Sequence, residues 1–218
     1  MAILFRLFKF TLIAFITLLT LLACNSLSSN KSPSPSNQLE SKPLTSLPPI
    51  APKNIEPERI PDAPYLQTPP EVVLKMLEMA KVNKNDVVYD LGSGDGRIVI
   101  AAAQKFGARA IGIEIDPELI RESDRESKLA IAKTPEIRDR IQFIKQDFFK
   151  IDLRDATVIT LYLLPQANLR VRSEILPKLK KGTRIISNEY DLGDLPPNQT
   201  ETIKVGNREY RIYLWILD

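Results

Sequence analysis

The segment best suited to ligand chemistry is a glycine-rich turn preceded by an acid. Residues 87–97 read VVYDLGSGDGR, in which a β-forming run ends at Asp90 and a helical pattern begins at Arg97. The turn between them contains Gly92, Ser93, Gly94 and Gly96. Glycines allow a tight turn and a close approach of the backbone to a ligand. A dinucleotide fingerprint (G-x-G-x-x-G) would require glycine at position 97, so a nicotinamide-dependent oxidoreductase is disfavoured.

Asp90 favours a ligand that carries positive charge beside the turn. A dinucleotide would bring a pyrophosphate to the helix N-terminus, whereas S-adenosylmethionine brings a cationic amino group and a sulfonium. Two further acids follow the next two predicted strands. Glu114 is placed to accept both ribose hydroxyls, and Asp147 to accept from the adenine amino group, with Phe148 or Phe149 against the ring. Each acid alone has an ordinary loop interpretation, but together they predict S-adenosylmethionine as the cofactor.

The elements that must position these residues alternate between helix and strand. Apolar spacing predicts helices over 71–82, 97–106, 117–133 and 165–179, and strands over 86–91, 108–115, 141–145, 156–163 and 183–187. Residues 201–205 and 209–217 alternate around Gly206-Asn207, as a closing hairpin does. The order predicts an α/β, Rossmann-like fold with a mostly parallel sheet and helices on both faces. Only about 13 residues of polar, Pro-containing sequence connect the fifth strand to the hairpin, so one helix is expected to be missing or reduced to a turn there.

Residues 65–218 resemble the class I S-adenosylmethionine-dependent methyltransferases. The shared motifs are D-L-G-S-G-D-G after the first strand, G-x-E-x-D after the second and D-F after the third. The similarity is greatest to protein-lysine methyltransferases of membrane-embedded mitochondrial proteins, such as the ATP synthase c-ring protein. That group also has a hydrophobic N-terminal segment, a P-Y-x-x-(T/S)-P stretch and the run DLGSGDGRIVIAAA. The resemblance implies the methyltransferase fold with a C-terminal antiparallel hairpin.

The resemblance also implies a function and an additional part of the site. The expected activity is N-methylation of a protein lysine or another membrane-associated acceptor. The alternative is a membrane-tethered S-adenosylmethionine-binding module without catalysis. Residues 65–70, including Tyr65 and Thr68, are implied to lie over the methionine end of the cofactor. They can equally be a helix-start segment in which Tyr65 acts as a hydrophobic staple.

The acceptor side of the site is less defined by sequence. After the fourth strand the chain reads TLYLLP, without the Asn/Asp-Pro-Pro-Tyr/Phe motif of amino-methylating nucleic-acid and glutamine enzymes. Tyr162 either orients a nucleophile or packs. Glu189 and Asp191, after the fifth strand, either receive a cationic lysine or belong to a polar loop. These three residues are the catalytic candidates.

Composition excludes several other classes of site. The chain contains no histidine, and Cys24 is its single cysteine, so a Cys/His zinc site, a histidine-based triad and an intrachain disulfide are excluded. No metal site is predicted. The net charge is +3, and Arg6 and Lys9 near the N-terminus supply two of these charges. The nearly neutral remainder argues against a nucleic-acid partner. A methyl-acceptor protein or small molecule is the expected partner, and a monomer the expected state.

The N-terminal residues predict targeting to a membrane. Residues 1–23 combine two basic residues with an apolar run and end LLA before Cys24, which resembles a bacterial lipobox with lipidation at that cysteine. An exported lipoprotein is preferred, an uncleaved N-terminal anchor is the alternative, and a buried core helix the third. Residues 24–64 are rich in Pro and Ser and predict a disordered linker to the domain at 65–218. Export of the domain would conflict with the predicted cofactor, because S-adenosylmethionine is made in the cytoplasm.

Overall fold

The computed structural model describes residues 65–218. The predicted signal or anchor at 1–23, the lipidation site at Cys24 and the linker at 24–64 lie outside the described residues. No helix within residues 65–218 combines the length and the apolar character needed to cross a membrane.

A seven-stranded sheet with the order β3-β2-β1-β4-β5-β7-β6 forms the centre of the fold. The first five strands in this order are parallel, and β7 runs antiparallel to its neighbours β5 and β6, which confirms the predicted α/β, Rossmann-like architecture with a terminal hairpin. The strands are β1 Val87–Leu91, β2 Arg109–Glu114, β3 Ile141–Lys145, β4 Val158–Leu161, β5 Arg184–Asn188, β6 Gln199–Val205 and β7 Arg208–Ile216.

In the described residues α1 Pro70–Met79 precedes β1, and three further α-helices connect strands: α2 Arg97–Phe106, α3 Pro117–Lys133 and α4 Pro165–Arg170. The bounds of α2 and α3 agree with the sequence prediction. At the start of α3, the Asp116 side chain accepts a hydrogen bond from the Glu118 backbone N–H (2.7 Å). No side chain caps α2, which begins directly after Gly96, so its first N–H groups face the glycine-rich turn.

Some predicted elements were too long. The helix predicted over 165–179 consists of α4, a π-helical turn at Val171–Ile175 and a 3₁₀ turn at Leu176–Lys178. Pro177 lacks the N–H that a continuous helix requires, and the change of hydrogen-bonding pattern adjoins it. The strand predicted over 156–163 shortens to β4, and α1 ends before Lys81, which has a positive φ of 51°. No helix occupies residues 189–198, as expected from the shortness of this connection.

The two faces of the sheet bury separate apolar clusters. Alternate residues such as Val88, Val158 and Ile186 pack with α1 and α2, whereas Tyr89, Ile159, Ile185 and Trp215 pack on the face covered by α4. The alternation follows from the two-residue period of a strand. Asp90 and Thr160 share the parity of Val88 and Val158, so they lie on the α1/α2 face at the carboxyl ends of their strands.

The amino end of the sheet is held by a buried acid. The Asp86 carboxylate accepts hydrogen bonds from the Thr157 hydroxyl (2.7 Å) and the Asn83 backbone N–H (2.8 Å), and it pairs with the Arg184 guanidinium. Arg184 also donates to the Ala80 carbonyl (2.7 Å) at the end of α1. These contacts join α1, β1 and β5 at the end of the sheet opposite the glycine-rich turn.

Candidate active site

The glycine-rich turn is anchored on the neighbouring strand. The backbone N–H groups of Gly92 and Ser93 both donate to the Ile113 carbonyl of β2 (2.9 and 3.1 Å). Gly94 and Gly96 have φ values of 54° and 81°, in the left-handed region that favours glycine. A side chain on Gly94 would also collide with the Tyr65 ring. The Ser93 hydroxyl is buried and has no hydrogen-bond partner within residues 65–218.

Asp90 is a buried carboxylate without a cationic partner. It is 3% exposed, and its Oδ1 accepts a hydrogen bond from the Thr160 hydroxyl on β4 (2.6 Å). No basic side chain within residues 65–218 forms an ion pair with it. Burial raises the pKa of Asp90 to about 7, and the hydrogen bond from Thr160 opposes that rise. Such a group is complementary to a cation brought by a ligand, as the ammonium of S-adenosylmethionine would be.

Glu114 is oriented by backbone donors at the end of β2. Its Oε2 accepts from the Gly94 N–H (3.0 Å), and its Oε1 accepts from the N–H groups of Ile115 (2.7 Å) and Asp116 (3.0 Å). Two carboxylate oxygens offer about four acceptor positions, so capacity for a further donor remains. The carboxylate therefore has one orientation and directly contacts the glycine-rich turn.

Asp147 and Phe148 lie just after β3, beside the β2 end. The Gln146 N–H donates to the Glu114 carbonyl (2.9 Å), which joins this loop to the β2 end. One Asp147 oxygen accepts from the Phe149 backbone N–H (3.0 Å). The rings of Phe148 and Phe149 lie 4.5 Å apart between centroids. The ends of β1, β2 and β3 thus bring Asp90, Glu114 and Asp147 to one edge of the sheet.

Residues 65–68, just before α1, are attached to the glycine-rich turn through Asp95 and Arg97. The sequence analysis did not single out these two residues. The Arg97 guanidinium donates to the Thr68 carbonyl (2.8 Å) and to Asp95 (2.9 Å). The Tyr65 side chain hydrogen-bonds Asp95, and burial, followed by that bond, raises the pKa of Tyr65 to about 12. Thr68 is buried and contributes its carbonyl to this contact. The only signal for this link was the run Gly-Asp-Gly-Arg itself.

Two of the three catalytic candidates lie near each other. The Tyr162 ring stacks on Tyr190 at 6.5 Å between centroids, and its hydroxyl hydrogen-bonds Arg208 of β7. The same guanidinium lies 3.5 Å from Oε2 of Glu189. Burial raises the pKa of Tyr162, whereas Arg208 lowers it.

Asp191 is oriented differently from the other two candidates. Its side chain is exposed, and its Oδ1 accepts from the Gly193 backbone N–H (3.0 Å) within its own loop. A short Asx-type turn accounts for this contact. The structure therefore brings Tyr162 and Glu189 together through Arg208 and does not add the Asp191 carboxylate to them.

Similar proteins agree with this architecture. The model of the ANTKMT methyltransferase domain family matches residues 90–199. The chain is 39% identical over 159 residues to a protein-lysine N-methyltransferase of Saccharolobus islandicus (strain REY15A), covering 72% of this chain and 96% of that protein. It is 28% identical to the adenine nucleotide translocase lysine N-methyltransferase of Mus musculus, covering 62% of this chain and 56% of the mouse protein, so the match spans just over half of that relative.

A solved structure that binds the demethylated form of the cofactor is also similar. The RNA methyltransferase from Salinibacter ruber in complex with S-adenosyl-L-homocysteine is 41% identical, with a TM-score of 0.63, and the match covers 70% of this chain and 94% of that one. The predicted resemblance to methyltransferases of the protein-lysine group is confirmed. The chain belongs to the ANTKMT methyltransferase domain family and is an S-adenosylmethionine-dependent methyltransferase.

Proposed function

We propose that this methyltransferase N-methylates a lysine side chain of a protein. The observation that carries the proposal is a carboxylate on the acceptor side, since Oε1 of Glu189 is buried without a hydrogen-bond partner among residues 65–218. A carboxylate there attracts an ammonium group and repels a phosphate. The relatives named as lysine N-methyltransferases support the same acceptor class.

The cofactor residues of this proposal are those at the strand ends. Asp90 would accept from the cofactor's amino group, Glu114 from the ribose hydroxyls and Asp147 from the adenine amino group. Phe148 would offer its ring to the adenine, and Tyr65 would lie over the turn. When bound, S-adenosylmethionine supplies an electrophilic methyl group on its sulfonium. The protein's contribution is alignment and the exclusion of water from the reacting groups.

RNA is the competing acceptor, because the Salinibacter ruber relative is named an RNA methyltransferase. The described domain carries 24 Lys and Arg against 23 Asp and Glu, a net charge of +1. RNA-binding surfaces usually require a strongly basic face. The near-neutral balance and the carboxylate on the acceptor side therefore favour the protein acceptor.

A labelling experiment tests the acceptor class. The full-length protein is incubated with tritiated S-adenosylmethionine and either membrane, soluble-protein or total RNA fractions. We expect label in protein that is recovered as methyllysine after acid hydrolysis. Label recovered in RNA alone would contradict the proposal. Calorimetric binding of the cofactor without any labelled product would instead identify a non-catalytic binding module.

We further propose that the N-terminal segment tethers the enzyme to a membrane, by lipidation of Cys24 or as an uncleaved anchor. The support is the basic-then-apolar order of residues 1–23 with Cys24 directly after it. Metabolic labelling of wild type and Cys24→Ser with tritiated palmitate separates the two forms. Label that is present on the membrane-bound wild type and absent from the variant indicates lipidation, whereas a membrane-bound wild type without label indicates an anchor. Recovery of the wild type in the soluble fraction would contradict both.

The side of the membrane that the domain faces is tested separately. Arg6 and Lys9 precede the apolar run, and the positive-inside tendency then places the domain outside the cytoplasm. A membrane-impermeant amine reagent applied to intact cells should label the domain. Protection from this reagent, with labelling after lysis, would reverse the proposed orientation and remove the conflict with a cytoplasmic cofactor.

A further inference from the structure

The end of β5 contains a strained turn centred on Glu189. Its φ is 69°, and the Tyr190 backbone N–H donates to the Asn188 carbonyl two residues earlier (2.8 Å), so the three residues form a γ-turn. A γ-turn with positive φ is rare and strained, and glutamate has no local reason to adopt it. Such conformations persist where surrounding contacts determine them and are frequent at functional sites.

The contacts that hold this turn come from α4 and β7. Asn168 of α4 is fully buried and donates through Nδ2 to the carbonyls of Tyr190 (3.1 Å) and Asp191 (3.0 Å). The Glu189 N–H donates to the Arg211 carbonyl of β7 (2.7 Å). The strained conformation is thus fixed by elements distant in sequence, and it determines where the side chains of residues 188 and 189 lie.

Asn188 and Glu189 both carry buried polar atoms without partners. Asn188 is 0% exposed, and neither its amide oxygen nor its amide nitrogen has a hydrogen-bond partner in the described part of the chain. Oε1 of Glu189 is also buried and unpartnered. Buried polar groups are usually satisfied, because an unmade hydrogen bond costs free energy. Two adjacent residues that keep this cost indicate a ligand that supplies the missing donors.

The sheet register locates these atoms beside the cofactor residues. Thr160 pairs with Ile186 and Leu161 with Ser187, so one step further Tyr162 and Asn188 follow on adjacent strands. Asn188 shares the parity of Ile186, which packs on the α1/α2 face with Val88 and Val158. Asp90 lies on the same face two strands away, about 10 Å across the sheet at the usual strand spacing.

Arg208 brings a positive charge to this position. Its guanidinium lies 3.5 Å from Oε2 of Glu189, hydrogen-bonds the Tyr162 hydroxyl and stacks over the Tyr210 ring at 4.6 Å. The side chain is 56% exposed. An ion pair at this distance and exposure is weak, so a second cation can replace Arg208 at little cost.

From this geometry we infer that Asn188, Glu189 and Tyr162 bind the amine of the acceptor, and that Arg208 occupies part of this site until the acceptor displaces it. The inference rests on the proposed lysine acceptor. The oxygens of Asn188, Glu189 and Tyr162 accept hydrogen bonds from the ammonium, which loses one proton to solvent. In the transfer the nitrogen–carbon bond forms as the sulfur–carbon bond breaks, which leaves a thioether and a methylated ammonium.

The experiment measures methyl transfer from tritiated S-adenosylmethionine to poly-L-lysine, with the cofactor Kd measured by calorimetry for each protein. In Asn188→Leu we expect kcat/KM for the acceptor to fall at least tenfold, with the cofactor Kd unchanged. The Tm should rise by about 2–4 °C, because leucine removes an unsatisfied buried amide. A purely structural residue would lose stability and activity together. Asn188→Asp, which keeps an acceptor oxygen, should restore part of the lost activity.

Arg208→Gln tests the displacement. We expect the KM for poly-L-lysine to fall three- to tenfold at unchanged kcat, because the competing cation is gone. Arg125→Gln on α3 is the matched control, since Arg125 is also exposed (66%) and pairs with an acid at 3.4 Å; its KM should not change. If the wild type labels lysine, but kcat/KM of Asn188→Leu and KM of Arg208→Gln both equal the wild-type values, the inference is overturned and the proposed function stands. No labelled lysine with the wild type would overturn the proposed function and the inference with it.

Discussion

At the scale of single residues, Asp90 shows how a binding group can reduce the stability of the free protein. Its carboxylate is buried with one neutral hydrogen bond, from Thr160, and pairs with no cation of residues 65–218. Burial opposes ionisation, which is why the pKa of Asp90 rises to about 7. The ligand's ammonium would reverse this effect, because it stabilises the charged form. The same carboxylate is thus unfavourable in the free protein and favourable in the complex.

This coupling predicts a pH-dependent cofactor affinity. Below pH 7 the Asp90 carboxyl of the free protein is protonated and must lose that proton when the ammonium binds. The Kd for S-adenosylmethionine should therefore increase about tenfold for each pH unit below 7 and level off just above it, where the ligand's amino group is still protonated. Isothermal titration calorimetry between about pH 5 and 7.5 measures this profile. A Kd that is independent of pH across that range would contradict the role of Asp90.

Asp90→Asn separates the stability effect from the binding effect. The pKa of Asp90 in the folded protein lies above its ordinary value of 3.8, so the wild type loses stability as pH rises from about 4 to 7. The variant should lack this loss and exceed the wild type at pH 8 by about 1 kcal/mol or more in unfolding free energy. It should also bind the cofactor at least a hundredfold more weakly. Asp139→Asn, at an exposed acid, should change neither quantity.

At the scale of elements, the glycine-rich turn and the segment 65–69 before α1 form one unit. Arg97 at the start of α2 contacts both Asp95 in the turn and the Thr68 carbonyl before α1. The Tyr65 ring covers Gly94 and hydrogen-bonds Asp95. The segment 65–69 therefore packs against the glycine-rich turn.

Arg97→Gln should loosen this unit. The variant loses the ion pair with Asp95 and the bond to Thr68, so we expect cofactor binding weaker by about 1–2 kcal/mol, equivalent to roughly five- to thirtyfold in Kd. Calorimetry measures the Kd, and limited proteolysis should cleave the segment before α1 faster. Arg125→Gln is again the control. An unaltered Kd with faster cleavage would mean that the segment does not contribute to the cofactor site.

At the scale of the whole molecule, stability and function occupy opposite ends of one sheet. The buried Asp86 joins α1, β1 and β5 at the amino end through Arg184, Thr157 and Asn83. The candidate site occupies the carboxyl end, where binding residues carry unpaired polar atoms. The buried polar groups at the amino end are therefore hydrogen-bonded, whereas several of those at the carboxyl end are not.

Asp86→Ala should lower stability without altering the site. Removing the carboxylate leaves the Arg184 guanidinium, which is 19% exposed, without its acid, and we expect a loss of about 2–4 kcal/mol in unfolding free energy. Denaturant titration measures the loss, and the cofactor Kd should stay within twofold of wild type. Asp152→Ala, which breaks an exposed pair with Arg154, should leave the unfolding free energy close to that of the wild type, because exposed ion pairs contribute little. A large change of Kd in Asp86→Ala would contradict this separation.

The sequence by itself determined the features that depend on local order along the chain. The glycine turn after Asp90, the acids after the second and third strands, and the bounds of α2 and α3 were all predictable, because hydrophobic period, glycine and capping residues act over a few positions. Local patterns overestimated the helix at 165–179, where the proline and a π-helical turn divide it. They also overestimated the strand around β4, whose length depends on its neighbours.

Only the tertiary structure decided which groups face each other at the site. Thr160 donates to Asp90 across 70 positions, Arg97 reaches back to Thr68 across 29, and Asn188 stands unpartnered beside the strained turn at Glu189. Tyr162 and Glu189 were visible as candidates, but their link through Arg208 depends on the antiparallel return of β7. These contacts join residues that are distant along the chain, and no local pattern records whether a polar atom will find a partner once the sheet has formed.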